Sequence, residues 1–375
     1  MRCSFLAATL ALFTVVAAAD DNFEFSGHTK FRLVGQSYPH DSLFHDIAGS
    51  SSLDVAGELR LNFSTRRERW SFHTDYQLIA LNSEFLPAGV LNDDRRLFDF
   101  TKVVDEGSNS QVLHRLDRFW AGFSGDRLVL RAGRQALSWG NGLFFTPMDL
   151  VNPFDPTTID TEYKTGDDML YAQYLRDNGD DVQAAAVYRR DPASSDVDPE
   201  QGTVALKYHG FAGEHEYDVL VAENYGNTVI GLGAAGSAGG AIWRSDIVIT
   251  ESDDDTNVEF VANMSYSWVW HEHNMSGMAE YYYDGVDRHY FAGGLTIEMS
   301  PLWTVTPTLV ANVDDPGGLL QLVTQYSLSD NMTFLGSINL PIGSDGTEFG
   351  GADAGIPGRY LSFDVGVFAQ LAWYF

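Results

Sequence analysis

Alternation of apolar and polar residues, sustained far beyond the length of an ordinary strand, is the feature that most narrows what this chain can become. In 51–64, Leu53, Val55, Gly57, Leu59, Leu61 and Phe63 share one parity, and Asp54, Glu58, Arg60 and Asn62 share the other. The stretch 361–375 repeats the pattern. Successive side chains on a strand point to opposite faces, so each such segment has an apolar face and a polar one. A strand in a soluble domain usually runs about 5–6 residues, whereas one that crosses a bilayer at a tilt needs about 9–11. Many of these segments have the longer length.

The pattern predicts strands over 23–35, 53–64, 70–81, 112–124, 127–137, 168–176, 182–190, 202–210 and 214–224. It continues over 227–235, 240–250, 257–270, 274–284, 289–299, 303–312, 319–328, 332–340 and 361–375. The fold expected is all-β: a transmembrane antiparallel β-barrel of about 18 strands, with 16 as the runner-up, since single-chain bacterial barrels have even counts. Connection lengths agree with this reading. Every second connection ("TRRER", "SGDR", "DNGDD", "FAGE", "GSAG", "HEH", "SPL", "SDN") is brief. The long ones, 36–52, 82–111, 138–167, 191–201 and 341–360, all fall at the other end, which places the short turns in the periplasm. Trp70, Phe123, Trp270, Trp303, Trp373 and Phe375 then sit at short-turn strand ends on the lipid-facing parity, where an aromatic girdle belongs.

The first residues, "MRCSFLAATLALFTVVAAADDN", combine Arg2, an apolar run over 5–16 and a small-residue site at Ala17–Ala19. That is the form of a cleavable secretory signal peptide over 1–19, leaving one barrel domain over 20–375. Cleavage removes Cys3, the sole cysteine, and with it any thiol or Cys-ligated metal site. The remaining 52 acids against 22 Lys and Arg give −30, one below the −29 of the whole chain because Arg2 is lost. So acidic a chain is expected to be repelled by nucleic acid and by anionic lipid surfaces. After Ala19 no run of about 18 apolar residues occurs, so no spanning helix is expected.

With its leader, its alternating strands and the terminal "AQLAWYF", the chain resembles outer-membrane porin-like barrels of Gram-negative bacteria. The segment "LRAGRQALSWGNGLFF…NPFDP" is similar to one in uncharacterised porin-like and alginate-export-like families. The resemblance implies outer-membrane localisation among lipid and lipopolysaccharide. It also implies recognition of the C-terminal Phe375 by the barrel-assembly machinery, and a third extracellular loop folded into the lumen.

That third loop, 138–167, carries Trp139, Phe144, Phe145 and Phe154 among Gly and Pro. An apolar loop stiffened by proline is stable only when packed, and the nearest surface is the lumen wall. An extracellular cap or a homo-oligomer contact is the alternative. If "SGDR" closes the preceding hairpin, opposed residues sum to 251: Phe123 meets Leu128, Trp120 meets Arg131, and Arg118 meets Gly133. Arg118, Trp120 and Arg131 then face the lumen, as do Lys30, Arg32 and Arg60. The loop bears Asp149, Asp155, Asp160 and Glu162, so a basic wall would face an acidic loop across a constriction. The same register opposes Asp117 to Arg134 on the lipid face; such a pair is costly in hydrocarbon unless it lies above the membrane or a bulge turns it inward.

No G-x-S-x-G elbow, P-loop, H-E-x-x-H or dinucleotide fingerprint occurs, and no metal site or cofactor is expected. The leading functional expectation is a non-enzymatic, passive channel for small hydrophilic or charged solutes. An export conduit for polysaccharide or lipid working with periplasmic partners, and a non-conducting structural barrel, are the alternatives.

Overall fold

The computed structural model describes residues 22–85 and 92–375; the segment 1–19, expected to be a signal peptide, lies outside them. Strands β1 (Phe23–Ser37), β2 (Ser51–Arg67), β3 (Trp70–Asn82), β4 (Ser110–Ser124), β5 (Leu128–Gln135) and β6 (Asp167–Leu175) open the sheet. They are followed by β7 (Asp181–Val187), β8 (Thr203–Ala212), β9 (His215–Asn224), β10 (Asn227–Ala238), β11 (Ala241–Glu251) and β12 (Thr256–Trp270). The last six are β13 (His273–Tyr283), β14 (His289–Ser300), β15 (Trp303–Asn312), β16 (Gly317–Ser329), β17 (Met332–Gly343) and β18 (Gly366–Tyr374). Each pairs antiparallel with its neighbour in sequence, and β18 pairs with β1 in a register that sets Phe31 against Leu371. The sheet is thereby a closed barrel of eighteen strands, with a nineteenth short strand, Thr101–Glu106, outside the ring.

The two faces differ as alternation requires. Val204, Leu206, Leu232 and Val367 on the outward parity are each about half exposed or more, whereas the inward Leu220, Val248 and Val261 are buried. Trp70, Trp270, Trp303 and Trp373 lie exposed at short-turn strand ends, with Trp70 on Phe123 (centroids 5.1 Å apart) and Trp373 on Phe375 (5.4 Å).

Three details depart from the alternation reading. The β4–β5 hairpin sums to 253 rather than 251: Phe123 opposes Leu130, Trp120 opposes Gly133, and Arg131 opposes Gly122. The turn lies one residue further along the chain, closed by Gly125 N donating to Leu128 O at 2.7 Å, and this gives the two-residue slip, which leaves every face assignment unchanged. Second, 361–365 is not part of β18; Tyr360–Leu361 instead pairs with Ala352–Asp353 in a separate hairpin. Third, the long second loop contains Thr101–Glu106. The upper half of β4 (Gln111–Arg115) rises beyond the end of β5, and this short strand takes up its otherwise open ladder.

Asp117 and Arg134 are not opposed. The β3–β4 register sets Asp75 against Arg118 and Tyr76 against Leu116, so Asp117 occupies a β-bulge, and its carboxylate joins the inward-facing arginines. Arg134 opposes Phe119 and stays on the outward parity. There it is buried by the descending limb of the second loop. It donates to Asp168 (2.9 Å), to Asp93 (2.9 Å) and to the Phe98 carbonyl (2.5 Å), with the Phe100 ring 4.8 Å from its guanidinium. This strap, 92–100, ends against the β7 side, where Arg190 N donates to Arg95 O.

Burial pushes the Asp93 carboxyl up, but attraction and hydrogen bonds from Arg134 and Arg96 outweigh it and hold the pKa at about 2. A depressed folded-state pKa means that Asp93 contributes its stability above about pH 4 and loses it as pH falls toward 2. Replacing Arg134 by Met leaves Asp93 and Asp168 buried without their shared cation and should cost about 3–5 kcal/mol. Urea unfolding in detergent, followed by tryptophan emission, measures it. By the same assay Val367→Arg or Leu232→Arg should cost about 2–4 kcal/mol, while Ser276→Arg, inward and solvated, should cost less than about 1.

Candidate functional site

The site grows from the inward face of β1–β4. Arg60 donates to Asp75 (2.6 Å) and to Asp117 (2.8 Å), Arg118 to Asp117 (2.6 Å), and Arg115 to Asp117 (3.0 Å) and to Gln77 (2.7 Å). Three guanidiniums thus share two carboxylates, all buried, so the wall keeps a positive excess while each charge is paired. Beside it, Lys30 reaches Asp160 (2.7 Å) and Glu162 (2.8 Å), Arg32 reaches Asp160 (3.2 Å), and Tyr374 donates to Glu162 (2.9 Å). The Tyr163 ring lies 4.1 Å from the Arg60 guanidinium. Burial pushes Asp160 up, and Lys30 more than compensates, holding it below its usual range. The limb 160–163 of the third loop is therefore fastened to the β1–β2 wall by ion pairs and by cation–π contacts of Tyr163 with Arg60 and Lys30.

The other limb is held from the far side. Asp246 of β11 accepts from Asn141 N (2.6 Å) and Asn141 Nδ2 (2.7 Å). Glu280 of β13 accepts from three successive amides, Leu143 N (2.6 Å), Phe144 N (3.0 Å) and Phe145 N (2.8 Å). Asn263 donates to both Asn141 O and Glu280. Between the anchors the loop rests on an apolar floor. Trp139 and Met148 pack with Ala185, Ala205, Leu220, Val229 and Val248, and the Trp139 Nε1 donates to Gln183 at 2.7 Å. Phe145 stacks on Tyr282 with centroids 4.4 Å apart. Two glycines permit this path: Gly140 has φ +97°, and a Cβ on Gly142 would lie 1.7 Å from the Phe145 carbonyl oxygen.

Of the side chains expected on a basic wall opposite an acidic loop, Lys30 and Arg32 do meet loop acids. Arg60 and Arg118 are instead engaged by Asp75 and Asp117, because the bulge brings that carboxylate inward. Asp149 does not face Arg118 or Arg131; it is paired at 2.6 Å with Lys164 of the same loop, which also donates to Leu137 O and closes the loop's neck. Asp155 is exposed and caps its own turn, accepting from Thr157 N at 2.8 Å. Arg131 is exposed, its guanidinium 5.0 Å from the Trp120 ring and 5.9 Å from Tyr171. Arg134 is outside the site. Phe144 and Phe154 line a cavity of about 490 Å³ with Tyr225, Glu259 and Tyr282. Sequence reasoning missed Asp246 and Glu280. Each is the sole acid on the inward parity of its strand, Asp246 between Arg244 and Val248 and Glu280 between Met278 and Tyr282, and that isolation was the available signal.

No protein-family profile matches the chain, and no curated protein matches it by sequence. Structure comparison does give matches. Acinetobacter baumannii OccAB4 aligns at TM-score 0.58 and 8% identity, covering 94% of this chain and 98% of that one. A. baumannii OccAB2 aligns at 0.57 and 9%, covering 95% and 98%. Pseudomonas aeruginosa OpdQ aligns at 0.52 and 9%, covering 94% and 97%. The fold is that of a porin-like β-barrel. Identities this low speak for the fold alone; within it, the two-sided fastening of the loop is drawn from this chain's own side chains.

Replacing both anchors, Asp246→Asn with Glu280→Gln, removes the charge that makes these amide hydrogen bonds strong. The loop should then become cleavable near Leu143 by chymotrypsin in the folded barrel, at least about tenfold faster than in the parent. Equal cleavage rates would show that the apolar floor alone holds the loop.

Proposed function

We propose that this protein is an outer-membrane, porin-like channel for passive passage of small hydrophilic or charged solutes, delivered by a cleaved leader over 1–19, with the third loop as its constriction. The observation that carries this reading is the fastening of one loop to opposite walls. Ion pairs hold it on β1–β2, and the carboxylates of β11 and β13 hold it on the other side. A segment so held divides the interior without filling it. Between its 160–165 limb and the wall lies a polar cavity of about 300 Å³ lined by Lys30, Arg32, Glu58, Arg60 and Tyr163. Charges of both signs at close quarters orient dipolar solutes and set ion preference in a pore. A closed barrel with an apolar outside leaves no backbone edge in hydrocarbon, which supports placement across a membrane.

Single-channel recording in planar bilayers tests the reading. Deleting 144–154 should raise conductance. Neutralising the two least enclosed basic groups, Arg32→Gln with Arg131→Gln, should move the reversal potential toward cations with little change in conductance, since the first change alters width and the second alters field. Zero conductance in every variant would remove the channel and leave a structural barrel.

A further inference from the structure

The outward face carries an asymmetry that the passage does not use. On each of β4–β7 one mid-strand lipid-side position is an alanine, set among larger neighbours such as Phe123, Leu130 and Leu170. Ala121, Ala132, Ala172 and Ala184 floor a concave apolar groove of about 760 Å³, bounded by Trp70 on one side and Val204 on the other. Its upper limit is set by Arg134 and Asp168, the residues next outward above Ala132 and Leu170, which the strap covers. On the short-turn side the next outward row is Leu128, Tyr174 and Val182.

Basic residues gather at the short-turn end of this sector. Arg66, Arg67, Arg69, Arg127 and Arg176 sit in or beside the first three short turns, whereas the five remaining short turns contain Glu214, Glu272 and Asp330 and no Lys or Arg. Arg67 opposes Trp70 across the β2–β3 ladder, Trp70 opposes Phe123, and Phe123 opposes Leu130. Arg67 therefore points outward on the same face as the groove, across Trp70 from it. It is exposed and makes no salt bridge among the described residues. Arg69 and Arg127 flank it in pairs with Asp126 (3.0 Å) and Asp177 (2.7 Å) whose four side chains are all more than half exposed. Pairs so solvated are weak and exchange readily for a stronger anion.

We propose that this sector is a binding site for one anionic glycerophospholipid of the periplasmic leaflet, with an acyl chain in the alanine groove and the phosphate on Arg67, Arg69 and Arg127. Shape and charge both favour a lipid over a second barrel. A flexible chain fills a concave groove, which the convex wall of another barrel does not. A symmetric contact between copies would also set these arginines against their own images, whereas a phosphate neutralises them.

Native mass spectrometry of the purified full-length barrel, from micelles doped with phosphatidylglycerol or with phosphatidylcholine, tests the site. The parent should retain one phosphatidylglycerol in preference to phosphatidylcholine. The variant Arg67→Gln/Arg69→Gln/Arg127→Gln, altered only at an exposed rim, should lose that preference by on the order of tenfold or more. Ala172→Phe, which fills the groove, should lower retention of both lipids; heat-modifiable gel migration confirms that it has folded. Equal retention by the parent and the arginine variant would overturn the headgroup site. A change of oligomeric mass in Ala172→Phe without loss of lipid would show that the groove receives a second copy instead.

Discussion

Backbone hydrogen bonding in a medium without water is the constraint from which the rest of this molecule follows. Hydrocarbon offers no substitute for an unmade N–H···O=C bond, so the sheet has to close, and it does so through the β1–β18 ladder. The same requirement explains the short strand added to the rim of the ring. Where β4 outruns β5, its amides and carbonyls need a partner, and Thr101–Glu106 supplies it. That short strand anchors the end of the strap, and the strap in turn shields Arg134 on the outward face. A backbone need at the rim thereby makes room for a charge on the lipid side.

Charges inside the wall follow a second rule: each buried cation has a carboxylate within hydrogen-bond reach. The Asp117 bulge is the clearest case. In a regular strand Asp117 and Arg118 would point to opposite faces; the extra residue turns both inward, and Asp117 then serves Arg60, Arg115 and Arg118 together. The same bulge sets Arg115 and Arg118, three residues apart, on one face, so it brings in a second guanidinium together with the carboxylate that pairs it. The positive excess that remains can meet the third loop because most of the charge is already balanced.

Alternation reveals what is periodic and little else. All eighteen strands, the outward girdle at Trp70 and Trp270, and the division into short and long connections were legible, since each repeats over many residues. The register of a single hairpin was not, because a two-residue slip at Gly125–Leu128 preserves every face. The bulge at Asp117 was foreseeable only as a way out of an unfavourable Asp117–Arg134 pair, and the structure uses it for Asp117 while shielding Arg134 by other means. The anchors Asp246 and Glu280 escaped notice because their partners are backbone amides of a distant loop, and an amide has no signature in sequence. Asp149 misled for the opposite reason: its acidity was visible, but its pairing with Lys164 depends on how the loop's two limbs meet.

The manner in which the loop tip is moored has a consequence for how such a passage diversifies. Asp246 and Glu280 grip peptide N–H groups of Asn141, Leu143, Phe144 and Phe145, which every residue except proline possesses. At Leu143 and Phe144 mooring and lining are thus governed by separate parts of the same residue, whereas Asn141 and Phe145 also hold through their side chains. Side chains at those first two positions can be exchanged, bulky for small or neutral for charged, while the cable that holds them in place is unaltered. A scaffold of this kind permits its aperture to drift under selection, or to be redesigned, without renegotiating the barrel that carries it.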